Sequence, residues 1–399
     1  MENRFLLSCL TLMLVLAMIP SISIGVEGST AQLTIYTYDS LLADPGYQFD
    51  RQFETYQGLP YGSVEVVLFE DAASIIIQAS AEKSNPIADV LIGIDNILIE
   101  KARNQDILQP YVSTQLNYLE DGLVQELASD NLLTPYDYGI ISLWYLNDRL
   151  PSINPGSFVL EDLLTEELSN QIIIQNPLLS SPGLGFFLWT IGIYGDPEID
   201  LDGVIDGNWR EFWDMAAENF HLTSSWGEAF ELLYTEESGK SIMVSYTTSP
   251  AYGACLYDDY STSALLSNEQ GNTWGWKQIE GLGLVKNSDN QDLAKEFIDW
   301  FVSEEVQNEI YMNQWMYPSR SNIQQPSCYS DVIQPNTIYP LNTRITTDIL
   351  ESNLDNWLSE WEIVWVEGYD PAFLNFNYLL FFSVLLILPI IRRNIKKVI

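Results

Sequence analysis

Three short runs in the first third of the chain share one shape, and they restrict the fold more than any other feature. Residues 33–38 (Leu-Thr-Ile-Tyr-Thr-Tyr), 64–69 (Val-Glu-Val-Val-Leu-Phe) and 88–93 (Ala-Asp-Val-Leu-Ile-Gly) are rich in β-branched and aromatic side chains. Each leads into polar residues: Asp39 and Ser40, Glu70 and Asp71, Asp95 and Asn96. Helix-forming segments follow at 72–77 and 97–99. Strand, polar turn and helix in repetition is the pattern of a parallel sheet with crossover helices, and so of an α/β fold. In open sheets of this kind ligands collect beyond the C-terminal strand ends, which is where Asp39, Asp71, Asp95 and Asn96 fall. Each of them can equally cap the helix that follows, and both roles stay open at this level.

The chain has 399 residues, 47% of them hydrophobic, more than one core usually accommodates. Two extended runs, 135–145 and 274–285, bracket an insert of about 130 residues, the arrangement expected if the chain crosses to a second lobe and returns. Strands of that lobe are expected at 172–174 and 241–245, with an acidic, glycine-containing surface loop over 195–207. Residues 292–311 read as one helix, with Leu293, Ala294, Phe297, Ile298 and Phe301 as its apolar stripe.

Both ends read as targeting segments. Arg4 and the apolar run after it form a secretory signal peptide over 1–28, or an uncleaved anchor. Residues 373–391 are almost wholly apolar and long enough to cross a bilayer. Arg392, Arg393, Lys396 and Lys397 follow at once and mark the cytoplasmic side. The expected organisation is therefore lobe I at 31–134, lobe II at 135–275, a return to lobe I at 276–320, C-terminal helices packing on the lobes at 321–368, a transmembrane helix at 373–391 and a cytoplasmic tail at 392–399. The body is expected outside the cell, held by a single-pass anchor in the cell membrane.

The net charge of −38 excludes nucleic acid and anionic lipid as partners. It suits either a cationic ligand or a salty exterior. Of three cysteines, Cys9 lies in the leader, while Cys255 and Cys328 can pair or remain buried thiols. His221 is the single histidine, so a His-based triad or a His-rich metal site is impossible. The many acids show no pairing that demands general acid–base chemistry. No metal and no resident cofactor is expected.

Three turns are unusual. Ser180 and Ser181 precede Pro182 and Gly183 at a helix start, where backbone N–H groups and hydroxyls can hold a hydroxyl or a phosphate. Trp226 follows two serines at another helix start and can face a cleft or the core. Tyr246, Thr247, Thr248, Ser249 and Tyr252 cluster after an apolar strand, as a binding surface or as a Pro-containing turn. Trp315 and Tyr317 can add to them. Together these residues describe an aromatic, hydroxyl-rich, carboxylate-bearing site for a flat organic cation, attracted by cation–π forces of roughly 0.5–2 kcal/mol per contact.

The segments 36–40, 70–71, 88–96, 136–139, 181–185, 226–229, 246–252 and 315–318 occur in order, and they closely resemble the thiamine-binding periplasmic proteins of bacterial ABC importers. The likeness runs from about Leu33 to Trp361. It implies a type II periplasmic-binding fold with crossover strands, and a cleft for thiamine or its phosphates. It implies as partners an ABC permease and its ATPase subunits. The ligand-contacting positions of that family fall on Asp71, Ala72, Ser180, Ser181, Trp226, Tyr246, Thr247, Thr248 and Ser249, with Tyr252 lining the same cleft. Tyr38, Asp39, Asp95, Asn96, Tyr136 and Trp315 are further candidates for the cleft. The chain departs from the family pattern in having Ala72 where glycine is expected, and in its apolar C-terminus. Two other functions compete. One is a thiaminase-like transferase with Cys255 as nucleophile. The other is binding of a different cation, such as a polyamine or a betaine.

Overall fold

A computed structural model of the protein describes residues 31–43, 45–201 and 207–369. The leader, the apolar segment 373–391 and the basic tail lie outside the described residues. The three runs found at the start form strands β1 (Leu33–Tyr38), β2 (Val64–Phe69) and β3 (Val90–Asp95), the last shifted two residues along from the reading at 88–93. Helices α1 (Phe49–Gln57) and α2 (Ala72–Ala81) connect them. Both β2 and β3 pair parallel to β1, as crossover connections require.

The two long extended runs become β4 (Thr134–Leu146) and β8 (Asn272–Val285), and between them come β5 (Ile172–Gln175), β6 (His221–Thr223) and β7 (Ile242–Tyr246). The continuous sheet order is β2-β1-β3-β8-β4-β7-β5-β6. Its two outer triplets are internally parallel, and the β8–β4 pair in the middle is antiparallel to its neighbours. Strand β4 pairs with β8 through its first half, and with β7 from Ile141 to Tyr145. The chain thus passes from one parallel triplet to the other along β4 and comes back along β8, giving the two-lobed α/β architecture.

Two large clusters fill most of the core, with two small ones beside them. Around β1 and β3, Phe49 and Phe53 meet Phe297, Trp300 and Phe301. On the other side, Phe186, Trp189, Trp209, Phe212 and Trp213 pack with Trp361. Large aromatic side chains of this kind contribute roughly 1.5–3 kcal/mol each through burial.

Four expectations are corrected. The helix read over 292–311 is two, Gln291–Phe301 and Glu304–Asn313, broken at Val302 and Ser303. The C-terminal helices of 321–368 are one long helix, Thr347–Glu367, preceded by single turns. The loop after Gly195 is not all surface: Asp196 is buried and accepts from the indole N–H groups of Trp209 (2.9 Å) and Trp357 (2.8 Å), beside Arg210 at 3.2 Å. Finally, the α/β fold carries no described membrane helix. Among the described residues no helix is long and apolar enough to cross a membrane. Helix Thr347–Glu367 has the length, but Asp348, Glu351, Asp355, Glu360 and Glu362 punctuate it, and it packs on Trp213 through Trp361 and Trp365.

Candidate functional site

The C-terminal ends of β1, β2 and β7 and the starts of four helices converge on a cavity of about 210 Å³. Asp71 ends the turn after β2 and caps α2, its Oδ1 accepting from the Ser74 N–H at 2.8 Å. Ala72 is buried behind it. Ser180 and Ser181 open helix Ser181–Tyr194. The Ser180 hydroxyl makes no cap bond, so it is available to the cavity it lines.

Trp226 opens helix Trp226–Tyr234, which is capped by Ser225. Its ring stacks on Phe230 (5.2 Å, 20°), and its Nε1–H donates to Ser245 Oγ at 2.8 Å. Ser245 Oγ also pairs with Ser249 Oγ at 2.7 Å, and Ser249 Oγ accepts from the Tyr246 N–H. The turn after β7 is thereby tied to the indole. Tyr252 packs edge-on against Trp315, with ring centroids 5.2 Å apart, and against Phe230. Trp315 has φ of 60°, in the left-handed region that non-glycine residues seldom adopt, and such backbone strain concentrates at binding sites.

Of the residues singled out in the sequence, Asp71, Ala72, Ser180, Ser181, Trp226, Tyr246, Ser249, Tyr252, Tyr38 and Trp315 line this one cavity. Thr247 and Thr248 do not: both are wholly buried under the turn. Asp39 is exposed outside it. Asp95 is buried and spends Oδ1 on the N–H groups of Ile97 and Leu98, the capping alternative. Asn96 bridges to β8 through Lys277 O and Ile279 N–H. Tyr136 lies behind the wall.

Sequence reading missed Glu280, Gln314 and Phe230, all on the wall. Glu280 sits mid-strand in β8, where an acid at a cleft carries no local signal. Its Oε2 accepts from the hydroxyls of Tyr38 (2.7 Å) and Tyr136, and its Oε1 from Gln278 Nε2–H at 2.9 Å. Burial pushes its carboxyl up to about 7, against the Tyr136 and Tyr38 hydroxyls, which favour the charged form. Gln314 donates to Tyr38 Oη at 2.6 Å and accepts from the Leu42 N–H, fixing the Tyr38 ring. Among the described residues neither Lys, Arg nor His lines the cavity; its carboxyl groups are Glu70, Asp71 and Glu280.

Cys255 and Cys328 are joined in a disulfide. This settles the pairing left open by the sequence and removes the thiol that a transferase would need.

Fold and cavity together are those of a protein that encloses a small solute between two lobes. Residues 54–308 match the model of the bacterial extracellular solute-binding proteins, and the chain belongs to that family: it is a binding protein, not an enzyme. Among its relatives, the thiamine-binding periplasmic protein of Salmonella typhimurium is 29% identical over 339 residues, 83% of this chain and 92% of that one. The protein of the same name from Escherichia coli is 28% identical over 338 residues, again 83% of this chain and 92% of the relative. A solved periplasmic thiamin binding protein superposes with a TM-score of 0.70 at 28% identity, covering 83% of this chain and 95% of that one. The expected single-pass C-terminal anchor is corrected by the relatives, which are named as periplasmic proteins; the segment 373–391 itself lies outside the described residues.

Proposed function

We propose that this chain is the thiamine-binding component of an ABC importer. One observation carries the reading: aromatic faces, hydroxyls and carboxylates line a single cavity that has no basic side chain among the described residues. Thiamine carries a permanent thiazolium cation, an aminopyrimidine and a hydroxyethyl arm, and each finds a matching wall. The thiazolium lies against Trp226, Tyr246 and Tyr252. The aminopyrimidine is bonded by Asp71 beside Ala72. The hydroxyethyl arm, or a phosphate on it, meets Ser180, Ser181 and Ser249, with Thr247 and Thr248 holding the turn from below. Names of the relatives support the same ligand.

The lobes are residues 31–134 with 276–320, and 135–275. They close on the ligand by bending along β4 and β8, and the closed form docks on the permease and its ATPase subunits. Titrating the purified protein with thiamine while following tryptophan fluorescence tests the reading. Saturable quenching is expected; neither quenching nor binding heat at about millimolar thiamine, far above the range in which such a site works, rejects it.

A further inference from the structure

The three acids of the cavity are not equivalent. Glu70 is exposed at the rim, and Asp71 is half-buried and gives Oδ1 to the cap of α2, which leaves Oδ2 for a hydrogen bond at the cavity edge. Glu280 is 6% exposed and reaches the cavity from the middle of the sheet. Two phenols and an amide hold its oxygens in place, so it cannot swing away from whatever occupies the space above it. Among the described residues the cavity wall offers no cation to neutralise it. Resting on the reading of the ligand as an organic cation, we propose that Glu280 is the counter-charge for the ligand's ring cation, and that binding expels one proton from this site to solvent.

The surroundings explain why the empty site holds that proton. Asp95 on β3 and Asp137 on β4 flank Glu280 in register. Asp137 is wholly buried, and neither of its oxygens has a hydrogen-bond partner. Burial pushes the Asp137 carboxyl well up, and the charge of Glu280 adds to this; burial likewise raises Asp95. The other titratable groups facing Glu280 are the phenols of Tyr38 on β1, Tyr136 on β4 and Tyr246 on β7, all pushed further up by burial and therefore neutral. A second negative charge among buried carboxyls is costly without a cation beside it. An arriving cation reverses that balance. The Glu280 carboxyl loses its proton to water, and the carboxylate left behind keeps its phenol donors and pairs with the ring charge.

Calorimetry with thiamine, from about pH 6 to about pH 8.5 in two buffers of different ionisation enthalpy, counts the protons. Wild type is expected to release close to one proton at the acid end and almost none at the alkaline end. Its affinity should rise roughly tenfold per pH unit up to about 7, then level. Glu280→Gln should show no release and a flat profile, and should bind thiamine about tenfold or more weakly at pH 8. A neutral thiophene analogue should bind wild type and variant alike. The wild-type proton count needs no variant, and a circular dichroism melt reports whether Glu280→Gln folds. Thiamine binding that is independent of pH in wild type, or proton release that survives in Glu280→Gln, overturns the role of Glu280 while leaving the ligand reading intact. Failure of thiamine to bind at any pH overturns the ligand reading and this proposal with it.

Discussion

The indole Nε1–H of Trp226 donates to Ser245 Oγ at 2.8 Å, which holds the ring on the cavity wall by its edge and leaves the face not stacked on Phe230 to the ligand. Trp189 is the contrast: wholly buried, with its N–H on Ser267 Oγ at 3.2 Å. Trp226→Ala is expected to weaken thiamine binding by about 30- to 150-fold, roughly 2–3 kcal/mol. Trp189→Ala should instead lower the melting temperature and leave the affinity of the folded fraction unchanged. Trp226→Phe should recover part of the loss. Fluorescence or calorimetric titration of the three variants decides, and normal binding by Trp226→Ala would make Trp226 a packing residue.

The carboxyl of Glu280 also has a consequence for stability. Its folded value, about 7, lies above the ordinary 4.5 because of burial. A raised carboxyl contributes stability that is full below about pH 4.5 and is lost as pH rises through about 7. Ligand-free Glu280→Gln should therefore be more stable than wild type at pH 8, by on the order of 2 kcal/mol, with the gap closing toward pH 5. Urea unfolding at both pH values measures it. An equal gap at both would show that packing, not ionisation, separates the two proteins.

Cys255 lies three residues after Tyr252 on the same short helix, and its disulfide to Cys328 spans 73 residues of chain. Replacing both cysteines by serine is expected to cost about 2–4 kcal/mol and, because Tyr252 packs on Trp315, to weaken thiamine binding severalfold. Wild type incubated with thiamine and an amine nucleophile should leave the thiamine intact, as chromatography of the mixture will report.

Gly93 has φ of +103°, and a Cβ there would overlap the Tyr38 ring. Gly93→Ala should thus push Tyr38 off Glu280 and cost roughly 1–3 kcal/mol of stability, with a further loss of affinity. Tyr38→Phe, which keeps the ring and loses the hydroxyl, separates the two effects: it should bind less tightly while unfolding near the wild-type midpoint.

Periodic features were legible from the sequence. Strand β1 is Leu33–Tyr38 in both reading and structure, because a β-rich run that ends in polar residues leaves little choice of boundary. The cavity residues that follow strand ends or open helices, such as Asp71, Ser181 and Trp226, were legible for the same reason. Glu280 was not. Its meaning comes from Tyr38, 242 residues away, and from Tyr136, 144 away, and no local pattern encodes such a meeting. Thr247 and Thr248 misled in the opposite sense: a hydroxyl beside a cavity wall in sequence can face beneath it in space. The break at Val302 escaped because apolar spacing continues through it in Val306 and Ile310.

A wall that carries Glu70 and Asp71 and, among the described residues, no basic side chain, on a chain of net charge −38, governs speed as well as affinity. Field lines converge in such a cleft and raise the local concentration of a diffusing cation before any contact forms. The association rate should therefore fall steeply as salt is added and the Debye length shrinks toward about 8 Å at physiological strength, whereas dissociation, governed by the enclosed ring, should scarcely change. Capture would then be tuned by the ionic strength of the medium, and retention by the architecture of the pocket.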